Sequence, residues 1–172
     1  MVHGESRRAH SSPELLRSLN PQKVHIMSDA QSQARAQYDS LAEMMSALDV
    51  DFDRLADLRD SANPDEAKEL EELKSKAGEY ESTEDVERAI DEKPLSIEIR
   101  SDWCSPGAEM TPGEYRIVLC TGGPHVEIVG ELAHDGSPHN ARILFSDWGE
   151  SGEFFDFDRD IVIAFASRFF GG

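Results

Sequence analysis

The chain has 172 residues, 38% of them hydrophobic, and its 17 basic residues stand against 35 acidic ones for a net charge of −18. That length holds one domain with a substantial core, while so negative a field repels nucleic acid and anionic lipid and draws in basic surfaces. Direct binding to DNA or RNA is therefore set aside, and the longest apolar run, IVIAFA at 161–166, is far too short to span a membrane.

Residues 1–26 hold four basic residues, two acidic ones and three of the six histidines, with little periodicity. MSDAQSQ then reads as a second beginning, with Ser28 as a helix N-cap and Gln31 three residues on. Residues 1–26 are expected to be a loosely ordered extension upstream of the natural start. Without them the chain carries 13 basic and 33 acidic residues, a net charge of −20. No charged-then-apolar leader opens the chain, so a cytoplasmic location is expected.

From 28 to 93 the pattern is helical. Ala34, Tyr38, Leu41, Met45 and Leu48 recur at spacings of four and three, which makes one apolar stripe. Asp51 or Asp53 is placed to cap a short helix carrying Phe52, Leu55 and Leu58. Asn63, Pro64, Asp65 and Glu66 signal the start of a third helix through Leu70 and Leu73, and Gly78 ends it. Ser82 or Thr83 caps a fourth, with Val86, Ala89 and Ile90.

After Pro94 the period changes to two. Leu95, Ile97 and Ile99 alternate with polar residues, as in a half-buried strand. EYRIVLC (114–120), HVEIVGEL (125–132) and ARILFSDW (141–148) give three more strands, with hairpin turns at TGGP (121–124) and Asp135-Gly136. Asp158 caps a final helix. The expected fold is α+β: an acidic helical region (27–93, its helices starting near 28), then a four-stranded antiparallel sheet and a C-terminal helix within 94–172.

Two aspartate triplets invite a calcium reading, DVDFDR (Asp49, Asp51, Asp53) and FDFDRD (Asp156, Asp158, Asp160). An EF-hand loop needs glycine at position 6 and glutamate at position 12. Those positions hold Arg54 and Asp60 in the first case, Ile161 and Ser167 in the second. No metal is expected; aspartates before a helix cap free amides and suit the positive dipole end. TGGP lies between two strands with no lysine near, so it reads as a hairpin and not as a phosphate cradle.

Cys120 and His125 flank that turn, but Cys120 lies in an apolar strand and nothing orients the histidine. Cys104 and Cys120 make no disulfide framework. His134 and His139 are too few for zinc without distant carboxylates. No catalytic residue, cofactor or enzymatic activity is expected. Trp103 and Trp148 are expected to pack their rings on the sheet edges, with interface anchoring as the alternative.

The acid itself remains to be explained. Residues 49–93 hold 17 acidic and seven basic residues. That is one carboxylate per about 4 Å of helix axis, against one phosphate per about 3.4 Å of a DNA strand. A solvated acidic face, with pairs such as Glu72 and Lys76, is the plainer account. Mimicry of a nucleic-acid backbone is the other. It would use Asp49, Asp51, Asp53, Asp57, Asp60, Glu66, Glu69, Glu71 and Glu72, joined by Asp156, Asp158 and Asp160 in one negative surface.

PLSIEIRSDWCSPG (94–107), LCTGGPHVEIVGEL (119–132), the Asp147-Trp148 pair and FASRFFGG (165–172) resemble a family of small acidic proteins carried by bacteriophages, prophages and plasmids. The resemblance covers about 80–172 well and 28–79 by pattern, and it carries no catalytic residues across. It implies a mobile-element protein in bacterial cytoplasm, of the kind that disarms a host nuclease by occupying the site meant for DNA. The resulting expectation is an anti-CRISPR or anti-restriction inhibitor that binds a basic nucleic-acid-binding protein or complex of the bacterial host. The alternative is a non-enzymatic adaptor that docks another chain, or a second copy, through the apolar stripe of the N-terminal helices.

Overall fold

The computed structural model describes residues 28–61, 63–101 and 103–170. Residues 1–26, expected to be a loose extension, lie outside the described residues. The helical part runs α1 (Asp29–Ala47), α2 (Phe52–Asp60), a 3-10 turn (Pro64–Glu66) leading into α3 (Ala67–Ala77), and α4 (Thr83–Glu92). Strands β1 (Ser96–Ser101), β2 (Pro112–Cys120), β3 (His125–Glu131), β4 (Arg142–Asp147) and β5 (Glu150–Phe154) follow, then α5 (Arg159–Ala166). The fold is α+β, as the change of period predicts.

Helix starts follow the capping residues. The Ser28 hydroxyl accepts from the Gln31 amide at 3.2 Å, and the Asp51 carboxylate accepts from the Arg54 amide at 2.9 Å. Ser82 caps α4 and Asp158 caps α5 in the same way. Both aspartate triplets therefore contain a helix cap. Asn63 accepts from the Asp65 amide and opens the 3-10 turn, so α3 begins three residues after the signal read in the sequence. Gly78, at φ +58°, ends it in a conformation that favours glycine.

The sheet is a five-stranded antiparallel meander in chain order, not a four-stranded one. The additional strand is β5, and its sequence ESGEF has no β-branched residue and only one large apolar side chain. It is held by a tight turn at Trp148-Gly149, with Asp147 opposite Glu150 and Gly149 at φ +88°. Gly152 leaves room for the Phe145 ring, whose Cζ would lie 2.7 Å from a Cβ placed there.

One row of side chains crosses all five strands: Ile97, Ile117, Ile128, Ile143 and Phe154. From Ile117 to Phe154 the row is buried beneath α1 and α5, at about 2 kcal/mol or more for each aliphatic side chain. The stripe of α1 faces the same core, with Ala34, Leu41, Met44 and Ala47 buried and Tyr38, Met45 and Leu48 packed beside them. A smaller core of Val50, Leu55 and Ala77 joins α2 to α3.

Cover stops short of β1. Leu95, Ile97 and Ile99 are 60%, 41% and 58% exposed, so this is an open edge strand where half-burial was expected. Its alternation is real, but only β2 pairs with it among the described residues. Trp103 and Trp148 are fully exposed and pack on neither sheet edge, which corrects the expected placement. Trp148 lies in the turn between β4 and β5, and Trp103 in the segment that follows β1.

Candidate partner-binding surface

Helix α2 buries Leu55 and Leu58, Leu55 packing with Ala77 of α3, and this fixes what it shows to solvent. Asp53, Asp57 and Asp60 fall on the opposite side at spacings of four and three, all exposed, about 6 and 4.5 Å apart along the axis. Asp49 is exposed immediately before the helix. None of these four forms an ion pair with another described residue, which leaves their charge free toward solvent.

Four acids of the neighbouring segment, Glu66, Glu69, Glu71 and Glu72, are engaged. Arg54 reaches from α2 to the Glu69 carboxylate, with nitrogen–oxygen distances of 2.8 and 2.9 Å, and to Glu66 at 3.4 Å. Hydrogen bonding from Arg54 holds the Glu69 carboxyl below its ordinary range and, reciprocally, raises the arginine. Glu71 pairs with Lys74 at 3.2 Å and Glu72 with Lys68 at 3.7 Å. Glu72 thus uses Lys68, one turn back, and not Lys76.

The C-terminal triplet is placed elsewhere. Asp156 is paired with Arg35 of α1, Asp158 caps α5, and Asp160 donates its amide to Asp158 at 2.9 Å. Arg35 lies 12 residues before the end of α1, about 18 Å along the helix axis from the turn into α2. The two triplets stand at separate places along α1 and do not form one cluster.

Net charge is concentrated in the helices. Residues 28–93 carry 20 acidic and eight basic side chains. On the open face of the sheet, acids meet arginines: Arg100 with Glu114, Arg116 with Glu98 and Glu127, Arg142 with Glu153. Sequence spacing alone missed Glu43 and Glu79, which stand beside Tyr80. Desolvation, reinforced by these two carboxylates, raises the Tyr80 hydroxyl above its ordinary value. The two glutamates are 36 residues apart in the chain, so no local pattern could have joined them.

Cys120 and His125 are held apart. Cys120 stands opposite Val126, which is buried in the core, so His125, next to Val126, points to the other face of the sheet. There its ring nitrogen lies 3.0 Å from Glu127. Among the described residues no group of three or more His, Cys, Asp or Glu side chains is placed to hold a metal ion. Nor is any described helix long and apolar enough to cross a membrane.

Comparison with protein-family models, with curated proteins and with solved structures found no match.

Proposed function

We propose that the protein is a mobile-element-encoded inhibitor of a bacterial host defence complex, of anti-CRISPR or anti-restriction type, which binds the basic surface meant for DNA or RNA. It acts in the bacterial cytoplasm by occupancy, without catalysis. The observation that carries this reading is the free acidic stripe of α2, in Asp53, Asp57 and Asp60 with Asp49 beside it, next to a segment in which Glu66, Glu69, Glu71 and Glu72 are paired locally.

The physics is that of any polyanion. A groove lined with lysine and arginine releases condensed counterions when carboxylates replace them, and long-range attraction speeds the encounter. The packing of α2 on α3 supports it, since acids on a packed helix lose less freedom on docking than acids on a free tail. Capture of a partner should therefore weaken steeply with salt and depend on the three α2 aspartates.

An adaptor docking through the apolar stripe of α1 has less support. Leu41 is wholly buried and Tyr38 and Met45 are half-buried against the same core, so little of that stripe is left for a partner. The test compares the wild type with Asp53→Lys, Asp57→Lys and Asp60→Lys combined, for capture of nucleic-acid-binding proteins from a bacterial lysate and for displacement of their nucleic acid.

A further inference from the structure

The apolar row that closes the core opens at β1. Leu95, Ile97 and Ile99 leave one face of that strand largely in water, while Glu98 and Arg100 occupy the other. The strand is six residues long with no proline or lysine, and its pairing with β2 is regular as far as Arg100. Natural sheet edges are usually blunted by such residues, by bulges or by cover, because unpaired amides and carbonyls recruit another strand. The centre of this edge has no proline, lysine, bulge or cover among the described residues, and its two charges, Glu98 and Arg100, are of opposite sign.

A strand that completes it must be apolar on one face and complementary in charge on the other. SIEIRS meets both conditions for itself. In an antiparallel pair related by a two-fold axis at Ile99, Glu98 falls opposite Arg100 of the second copy and Arg100 opposite its Glu98. A shift by two residues puts Glu98 opposite Glu98, or Arg100 opposite Arg100, and like charges across a strand pair are destabilising. A shift by one would bring the isoleucines opposite the charges and put the wrong backbone groups together. Of these registers only the one centred on Ile99 sets both charges opposite charges of the other sign.

We propose that β1 pairs with β1 of a second copy in that register, so that two five-stranded sheets become one continuous sheet. Within each copy Arg116 already holds Glu98, and Glu114 holds Arg100. The join extends this into an alternating ladder across the two-fold axis, with the apolar faces side by side. Each chain carries −18, so the copies repel at low ionic strength. At about 0.15 M salt, charges more than about 8 Å apart are largely screened, and the close cross-strand pairs survive.

Sedimentation velocity on the full chain tests this. A dimer is expected at about 0.15 M salt and should weaken as the salt is lowered. Ile99→Lys should leave the circular dichroism spectrum unchanged and give a monomer. Glu98→Arg and Arg100→Glu, each alone, should raise the dissociation constant about tenfold or more. An equimolar mixture of those two variants should recover the dimer, because two cations of one chain then face two anions of the other. A wild type that stays monomeric up to about 100 μM, a dimer that Ile99→Lys leaves intact, or a mixture that stays dissociated would overturn the proposal.

Discussion

The Tyr115 hydroxyl donates a hydrogen bond to the Asn140 carbonyl at 2.8 Å, and the tyrosine ring lies across Gly130 of the neighbouring strand. A Cβ at Gly130 would sit 2.1 Å from the Asn140 oxygen and 2.5 Å from the ring. Glycine is required there by contact, not by backbone angle. The arrangement ties the loop before β4 to the centre of the sheet.

Two substitutions probe this contact by urea unfolding. Tyr115→Phe removes the donor and should cost about 1–2 kcal/mol. Gly130→Ala forces backbone or ring to move and should cost more, about 3 kcal/mol. Equal and negligible effects would mean that the ring is free to swing away.

Burial pushes the Tyr115 hydroxyl up to about 12. A folded-state value above the unfolded one means that the native state keeps its proton longer, so stability is whole below about pH 10 and falls between there and pH 12. Alkaline unfolding curves should show this decline in the wild type and a shallower one in Tyr115→Phe.

At the acid end, the Arg54 contact lowers Glu69, so its contribution is present above the ordinary carboxyl value and is lost as pH falls through the depressed one. A carbon-detected titration of the Glu69 carboxyl should give a midpoint below that of an unpaired glutamate. Arg54→Met should move that midpoint back up. The contact is exposed, so loosening of the α2–α3 hairpin, not global unfolding, is the expected consequence.

Leu41 separates packing from docking. It is fully buried between α1 and the sheet, and Leu41→Ala should cost about 2–5 kcal/mol in thermal or denaturant unfolding. A stability near the wild type, together with loss of a partner, would instead favour docking through the stripe.

Much of the fold was legible because periodicity and capping agreed. Ser28, Asp51, Ser82 and Asp158 all cap the helices that their neighbours' spacing implied. β5 was not legible, since ESGEF owes its pairing to a two-residue turn and to the glycine that fits under Phe145. Exposure of β1 was not legible either, because alternation marks two faces but cannot say where the helical layer ends. Counting acids found the charged region yet could not separate free from engaged side chains. That distinction depends on Arg54 reaching Glu69, 15 residues away, and on Arg35 reaching Asp156. Reversing Glu69, Glu71 and Glu72 would accordingly disturb the hairpin together with any binding, whereas Asp53, Asp57 and Asp60 make no ion pair with another described residue, and only Asp53, in the first turn of α2, supports its helix.

The most direct measurement captures bacterial lysate proteins on the immobilised chain and on the variant reversed at Asp53, Asp57 and Asp60. It then follows displacement of labelled DNA or RNA from whatever is captured. The account predicts a nucleic-acid-binding partner held at about 0.05 M salt, released by about 0.5 M, freed of its nucleic acid by the wild type and ignored by the variant. Equal capture by the variant, or retention undiminished in about 1 M salt, would contradict it.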